Sequence, residues 1–457
     1  MAAAEVSRNP ARMERNAPGP ILHAPRPGLL RARAGPREVW FWIGGICALL
    51  VLEIALNGTN GYAAGSLATI VHLALGLAVV VRVRARPEEW RLLGPRLAWA
   101  GAPLAWLVLA YALGPNQVRA SGAFGPEFTI RLGFLALLVA GALLGLRGDS
   151  GAKALSSLAV IGALWALAGS VMTWLSGSAD RSGEGAGTPH RFAVTLDNPN
   201  VAGAALAMIA LACLDHYLTR TRTAPVRRVV QGAALFAILV LIVCTGSRAA
   251  MIAFALAAVV RLRFAPNSLA DRDQVLGYAA VVLAALAVSA AVMSPAFLAR
   301  FADLTSDLHV RIDAWLLYAG LSVEHPVFGF GLGSFRAVNT AHLTPANAEV
   351  MWRFGAAHNF VLQAALEAGW LYVLLLLAWA ATFGRAISRR WQRRAPDDPV
   401  RTIALVLAIA LVCGWVDIAL DVPAIASLCA WLAGIALGNA LRVAVPRRGS
   451  LADEARP

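Results

Sequence analysis

The chain has 457 residues, 59% of them hydrophobic and 14% charged, and a formal net charge of +14. Its apolar residues fall in repeated runs of about 17 to 23, the length that crosses a hydrocarbon core, so a water-soluble globular fold is excluded. The basic excess gathers in alternate connections, as expected of cytoplasmic loops in a polytopic protein, and is not a nucleic-acid footprint.

Residues 1–38 are rich in Arg, Pro and Ala without an apolar stretch, and read as a disordered cytoplasmic tail rather than a cleavable signal. Twelve spans follow, at 39–56, 65–81, 97–113, 129–146, 154–175, 199–218, 226–244, 248–262, 276–294, 359–381, 402–420 and 424–441. With the N-terminus inside, the two tails and the loops at 82–96, 147–153, 219–228, 261–275 and 382–401 hold 31 of the 40 Lys and Arg residues, leaving 9 outside. That asymmetry predicts cytoplasmic termini, 1–38 and 442–457, around an all-α integral membrane domain of about 12 transmembrane helices at 39–441. All five cysteines fall within or at the ends of predicted spans, where they read as small packing residues. No disulfide or metal is expected, since no histidine shows metal-ligand spacing.

The short outer connections at 57–64, 114–128, 245–247 and 421–423 contrast with one long outer loop, 295–358, between spans nine and ten. A long ordered loop usually carries function. Within it, "DLHVRIDAWLLYAGLSVEHP" predicts a helix with Arg311 and Trp315 on one face and Pro326 ending the pattern. The "VFGFGLGSF" that follows is irregular; Gly329, Gly331 and Gly333 read as tight turning of the chain, because no strand precedes them as a nucleotide loop requires. The sequon at Asn57 reads as a short turn.

Polar side chains in a bilayer are costly and need a partner or a wet cavity. Several gather at the outer ends of spans. "TGSRAA" puts Ser247 at a helix N-cap and Arg248 in the first turn, where the helix dipole disfavours a cation and so calls for an anion. The tenth span opens with His358 and carries Asn359, Gln363 and Glu367 at i, i+4 and i+8, a single polar stripe in an ideal helix. Asp417 and Asp421 lie at the outer end of the eleventh span and read as partners for Arg or for helix termini. Glu53 and His72 read as satisfied contacts within the bundle, and His190, His309, His325 and His342 as loop or capping residues.

"TLDNPNVAGAAL", "TGSRAA", Arg311 with Trp315, "EHPVFGFGLGSF" and "AHNFVLQAALEAG", in that order and on one side of the membrane, resemble the O-antigen ligase and polymerase superfamily of bacterial membrane glycosyltransferases. The motifs cover 195–384; the first five spans agree only in hydropathy and number. The resemblance implies a GT-C-like helical fold in the bacterial inner membrane with the active site facing the periplasm. It implies an undecaprenyl-diphosphate-linked glycan donor, with no metal, cofactor or nucleotide sugar. Arg248 and Arg311 match the family's two arginines and would grip the diphosphate, with Arg300, Arg336 and Arg353 as competitors for the second place. His358 matches the histidine that takes the proton of an acceptor hydroxyl. Asn359, Gln363, Glu367, Ser247, Asp197, Asn198 and Asn200 would support the site.

Within the superfamily a ligase acting on lipid A core is favoured by analogy over a polymerase of O-antigen or exopolysaccharide, or a protein O-oligosaccharyltransferase. A lipid-linked glycan transporter is the reading from another class; two matching six-span halves with a long central loop would favour it, and neither is visible.

Overall fold

A computed structural model describes residues 35–59, 61–114, 123–175, 192–220, 225–264, 304–393 and 398–442. The predicted span at 276–294, His190, Arg300, most of the N-terminal tail and the residues beyond 442 lie outside these. Among the described residues all regular structure is helical. It runs α1 (Pro36–Ala55), a 3-10 turn (Asn57–Thr59), α2 (Tyr62–Val83), α3 (Pro87–Leu113), α4 (Phe124–Gly145), α5 (Ser150–Leu175), α6 (Pro199–Arg220), α7 (Pro225–Cys244), α8 (Arg248–Arg263), α9 (Leu304–Ser322), α10 (Phe335–Ala341), α11 (Ala348–Met351), α12 (Phe360–Arg393), α13 (Pro399–Val416) and α14 (Pro423–Arg442).

Ten of these helices are long and apolar enough to cross a membrane, and each coincides with a span read from the sequence. The eighth predicted span is α8, which at 16 residues is about 24 Å long and shorter than a typical hydrocarbon core. Leu67, Ile70, Leu77, Leu164 and Val171 stand exposed; such surface is a liability in water and is what lipid-facing helices present.

Small residues set the closest crossing. Gly141 and Gly145 of α4 meet Gly434 and Gly438 of α14, and a Cβ on any of the four would collide with backbone of the other helix. Two G-x-x-x-G faces therefore bring the backbones together, as expected where association depends on packing rather than on expelling water. α6 is the most enclosed span, with 89% of its apolar window buried, and it packs on α5, α7, α8 and α13.

Charged residues sit mostly at helix ends. At one end, opposite the site described below, Arg147 pairs with Glu89 at 2.6 Å, Arg261 with Asp215 at 2.7 Å and Arg390 with Asp398 at 2.8 Å. Within the first two spans Glu53 and His72 do find a partner, each other, at 2.6 Å.

Residues 304–358 fold on their own small core, where Ala314, Tyr318, Phe335, Val338 and Met351 pack against Leu366 of α12. Tyr318 Oη donates to Asn339 Oδ1 at 2.9 Å, and Asn339 Nδ2 donates to Met351 O at 2.8 Å. The loop is thus a helical cap seated on the start of α12.

Two spans differ from their expected form. α12 is broken at Gly369, whose φ of 81° is left-handed, and a Cβ there would collide with Val327 O. The freed carbonyls of Leu366, Glu367 and Ala368 are taken by Phe330 N at 2.7 Å, Gly331 N at 3.1 Å and Trp106 Nε1 at 3.0 Å. Non-helical backbone at membrane depth is tolerated only with such internal partners. The predicted irregular stretch is therefore the piece that completes the broken helix, and positive φ at Gly329, Gly331 and Gly333 supplies its turns. The eleventh span ends at Val416, four residues before the expected limit. Asp417 turns extended there, the Val416 carbonyl accepts from Arg311, and Asp417 Oδ1 takes the amide of Ile418 at 2.8 Å.

Candidate functional site

The polar residues at one end of the bundle are built outward from Asp417. Its carboxylate is buried and receives three side chains from distant parts of the chain. Arg311 Nη2, from α9, lies 2.7 Å from Oδ2. Asn200 Nδ2, from the first turn of α6, donates to the same oxygen at 2.6 Å. His358 Nδ1 stands 3.2 Å from Oδ1, off the line of a hydrogen bond. Burial by itself would push the Asp417 carboxyl up; the His358 ring and the Arg311 guanidinium outweigh it and hold the group well below the usual carboxylate range.

Each partner is placed by local rules. Arg311 and Trp315 share a face of α9, as their spacing predicts, and both point at this site: Trp315 Nε1 donates to His358 O at 3.3 Å. His358 itself has φ 52°, a left-handed conformation rare for a residue with a Cβ. Its neighbours hold it there. Ala357 N donates to Gln363 Oε1 at 2.8 Å, and Asn359 caps α12, its Oδ1 accepting from Val361 N at 2.9 Å and Leu362 N at 3.1 Å. Such backbone strain persists where the surroundings over-determine it and clusters at functional sites.

Asn198 caps α6 in the same way, accepting from Asn200 N at 2.8 Å and Val201 N at 3.3 Å, with Pro199 at the first helical position where its missing N–H costs nothing. Ser247 caps α8 through the amide of Ala250 at 3.4 Å, which makes Arg248 the first residue of that helix. A Cβ on Gly203 would come within 2.6 Å of Ser247 Cβ, so the start of α8 lies one turn along α6 from Asn200. α6, α8 and α12 all begin at this end, and each helix start leaves amide groups and a partial positive charge suited to an anion.

The expected stripe along the tenth span does not form as one face. Asn359 sits before the helix as its cap. Gln363 and Glu367 belong to a second cluster, in which Gln363 Nε2 donates to Glu367 Oε1 at 2.9 Å and the amide of Phe335 reaches the same oxygen at 3.4 Å. Arg131, paired with Glu127, approaches Glu367 Oε2 at 3.9 Å. This cluster ties the 329–335 loop to α12. Arg131 and Tyr372 also head an apolar cavity of about 320 Å³ between α3, α4, α12, α13 and α14, lined by Leu104, Phe134, Trp379 and Leu407.

Of the arginines weighed against Arg311, Arg336 and Arg353 are exposed, and Arg353 lies over the ring of Trp352. Asp197 is held by Asn57 and does not reach Asp417. The residue the sequence reading left out of the site is Asp417 itself. Its one signal was an acid at the end of an apolar span, read there as a structural partner for Arg.

Residues 233–378, about a third of the chain, match the family model described as O-Antigen ligase. The matched segment runs from within α7 past the break in α12 and includes Arg248, Arg311 and His358, while Asn200 and Asp417 lie outside it. No curated protein matches the chain. With ten apolar helices of spanning length among the described residues, the chain is a multi-pass membrane protein, and its 233–378 segment is similar to the O-antigen ligase family.

Proposed function

We propose that the protein is a glycosyltransferase of GT-C type in the bacterial inner membrane. It moves a glycan from undecaprenyl diphosphate to a sugar hydroxyl of lipid A core, at a site facing the periplasm and with both termini in the cytoplasm. The observation that carries the reading is the meeting of Arg311 and His358, from opposite ends of the family-matched cap, on the single carboxylate of Asp417.

The chemistry follows from that arrangement. The acceptor oxygen attacks the anomeric carbon while the bond from that carbon to the diphosphate oxygen breaks, and the bonding pair leaves with the polyprenyl diphosphate. Asp417 faces Nδ1 of His358, which favours the Nδ1–H tautomer and leaves the Nε2 lone pair to take the acceptor proton. Charge growing on the leaving diphosphate is met by Arg311, by Arg248 and by the amide-rich starts of α6, α8 and α12. A planar guanidinium suits bidentate phosphate contacts, and Asp417 fixes one edge of Arg311 in advance. Lipid diphosphate is a good leaving group, so two arginines suffice and no divalent cation is needed. Direct displacement inverts the anomeric centre. Asn359 supports by capping α12 directly after His358, Asn198 by capping α6, which carries Asn200, and Gln363 and Glu367 by anchoring the cap loop.

Deletion of the gene in its host, with lipopolysaccharide run on a gel beside the lipid-linked glycan pool, tests the acceptor. Loss of the whole ladder, with bare core and accumulated long lipid-linked chains, is the expected result. Core carrying one repeat would assign a polymerase instead, and an unchanged ladder would overturn the lipid A acceptor.

A further inference from the structure

The first outer turn lies outside the family-matched segment, yet it is tied to the site. Asn57 and Asp197 exchange two hydrogen bonds: Asn57 Nδ2 donates to Asp197 Oδ2 at 2.5 Å, and Asp197 N donates to Asn57 Oδ1 at 3.0 Å. Asn57 adopts φ 60° and Gly58 φ 69°, left-handed conformations that Asn and Gly tolerate best, and this turn is what aims the Asn57 amide at the 192–198 strap.

That strap is pinned along its length. Phe192 N donates to Cys244 O at 3.2 Å, Thr173 Oγ1 to Val194 O at 2.6 Å, and Trp165 Nε1 to Thr195 Oγ1 at 3.1 Å. Thr195 Oγ1 lies 3.4 Å from Ile54 O of α1. Val194 is buried with φ 57°, a genuine outlier for a β-branched residue, and its Cγ1 occupies the space that a Cβ on Gly169 would need. The strap ends in Asn198, the cap of α6, and two residues later Asn200 holds Asp417. A β-branched residue stays left-handed only where its surroundings over-determine it.

We infer that Asn57 is a positioning residue for the transfer reaction: through Asp197 it fixes the strap and so the angle at which Asn200 sets Asp417 against His358 and Arg311. The inference rests on the reading of the Asp417 site given above. Asn57 touches no reacting atom, so its removal should act through misplacement, and a shift of about 1 Å at a catalytic group can lower a rate roughly a hundredfold.

The test uses the full-length protein in detergent or liposomes, with transfer rates measured over donor concentration. Asn57→Asp sets two carboxylates against each other and is expected to lower kcat roughly ten- to hundredfold with KM for the donor little changed. Adding Asp197→Asn to that variant restores a reciprocal amide–carboxylate pair and is expected to recover most of the lost kcat. A kcat unaffected by Asn57→Asp, or a double variant no better than the single one while both elute as monodisperse folded protein, would overturn the inference. Should the single variant fail to fold, the double variant alone decides: near wild-type kcat upholds the clamp, and a folded but slow enzyme overturns it. His358→Gln run alongside separates the two levels, since an active His358→Gln removes the underlying mechanism, whereas an inactive one beside a fully active Asn57→Asp removes only the clamp.

Discussion

Replacing Asp417 with Asn keeps the shape of the side chain and removes the charge on which the site converges. The carboxylate accepts from Arg311 Nη2, Asn200 Nδ2 and the amide of Ile418. An amide offers a single acceptor oxygen, and its NH2 must face one of those donors. Hydrogen bonds to a charged group contribute about 1.5 to 3 kcal/mol each, and breaking a buried ion pair costs about 3 to 5 kcal/mol. The Arg311 side chain keeps 26% of its surface exposed, so water compensates in part and the lower figure applies. About 3 kcal/mol felt in the transition state corresponds to roughly two decades in rate. Asp417→Asn is therefore expected to lower kcat about a hundredfold in a liposome transfer assay while the protein still inserts and elutes as a single species. A kcat within about threefold of wild type would refute the claim that Asp417 positions the site.

Three further outcomes follow from the same geometry. Gly369→Ala places a Cβ against Val327 O at a left-handed φ and is expected to unseat the 326–331 loop, lowering the thermal midpoint of the solubilised protein; an unchanged midpoint would show that the helix break is not held by that contact. Under the proposed mechanism guanidinium and amide groups alone meet the leaving diphosphate, so transfer should survive exhaustive chelation; loss of activity restored by a divalent cation would contradict this. Because Asp417 is held below the usual carboxylate range, its contribution to stability is complete above the ordinary Asp value of about 3.9 and is lost only as pH falls through the lower folded value. The gap in thermal midpoint between wild type and Asp417→Asn should then not narrow between pH 8 and pH 5, and a gap closing within that window would place the titration elsewhere.

The parts of this account that were legible in the sequence are those that depend on near neighbours. Spans show as local hydropathy, Ser247 as a cap residue before an apolar run, and Arg311 with Trp315 as one helical face. The hub was not legible, because Asp417 meets Arg311 across 106 positions and Asn200 across 217. Nothing local distinguishes such an acid from one that merely ends a helix. The break in α12 was hidden for a related reason. Glycine is common in membrane helices, and only the loop that fills the gap, some forty residues earlier in the chain at Val327, decides that Gly369 turns left-handed. The stripe of Asn359, Gln363 and Glu367 failed because Asn359 lies outside the helix as its cap, where spacing rules no longer apply.

The measurement that bears most directly on the central claim is glycan transfer by the purified protein, reconstituted with a lipid-linked glycan and lipid A core in the absence of divalent cations, for wild type and His358→Gln side by side. The mechanism requires a product of inverted anomeric configuration from the wild type and none from the variant. Transfer by His358→Gln at the wild-type rate, or an anomeric configuration retained in the product, would contradict it.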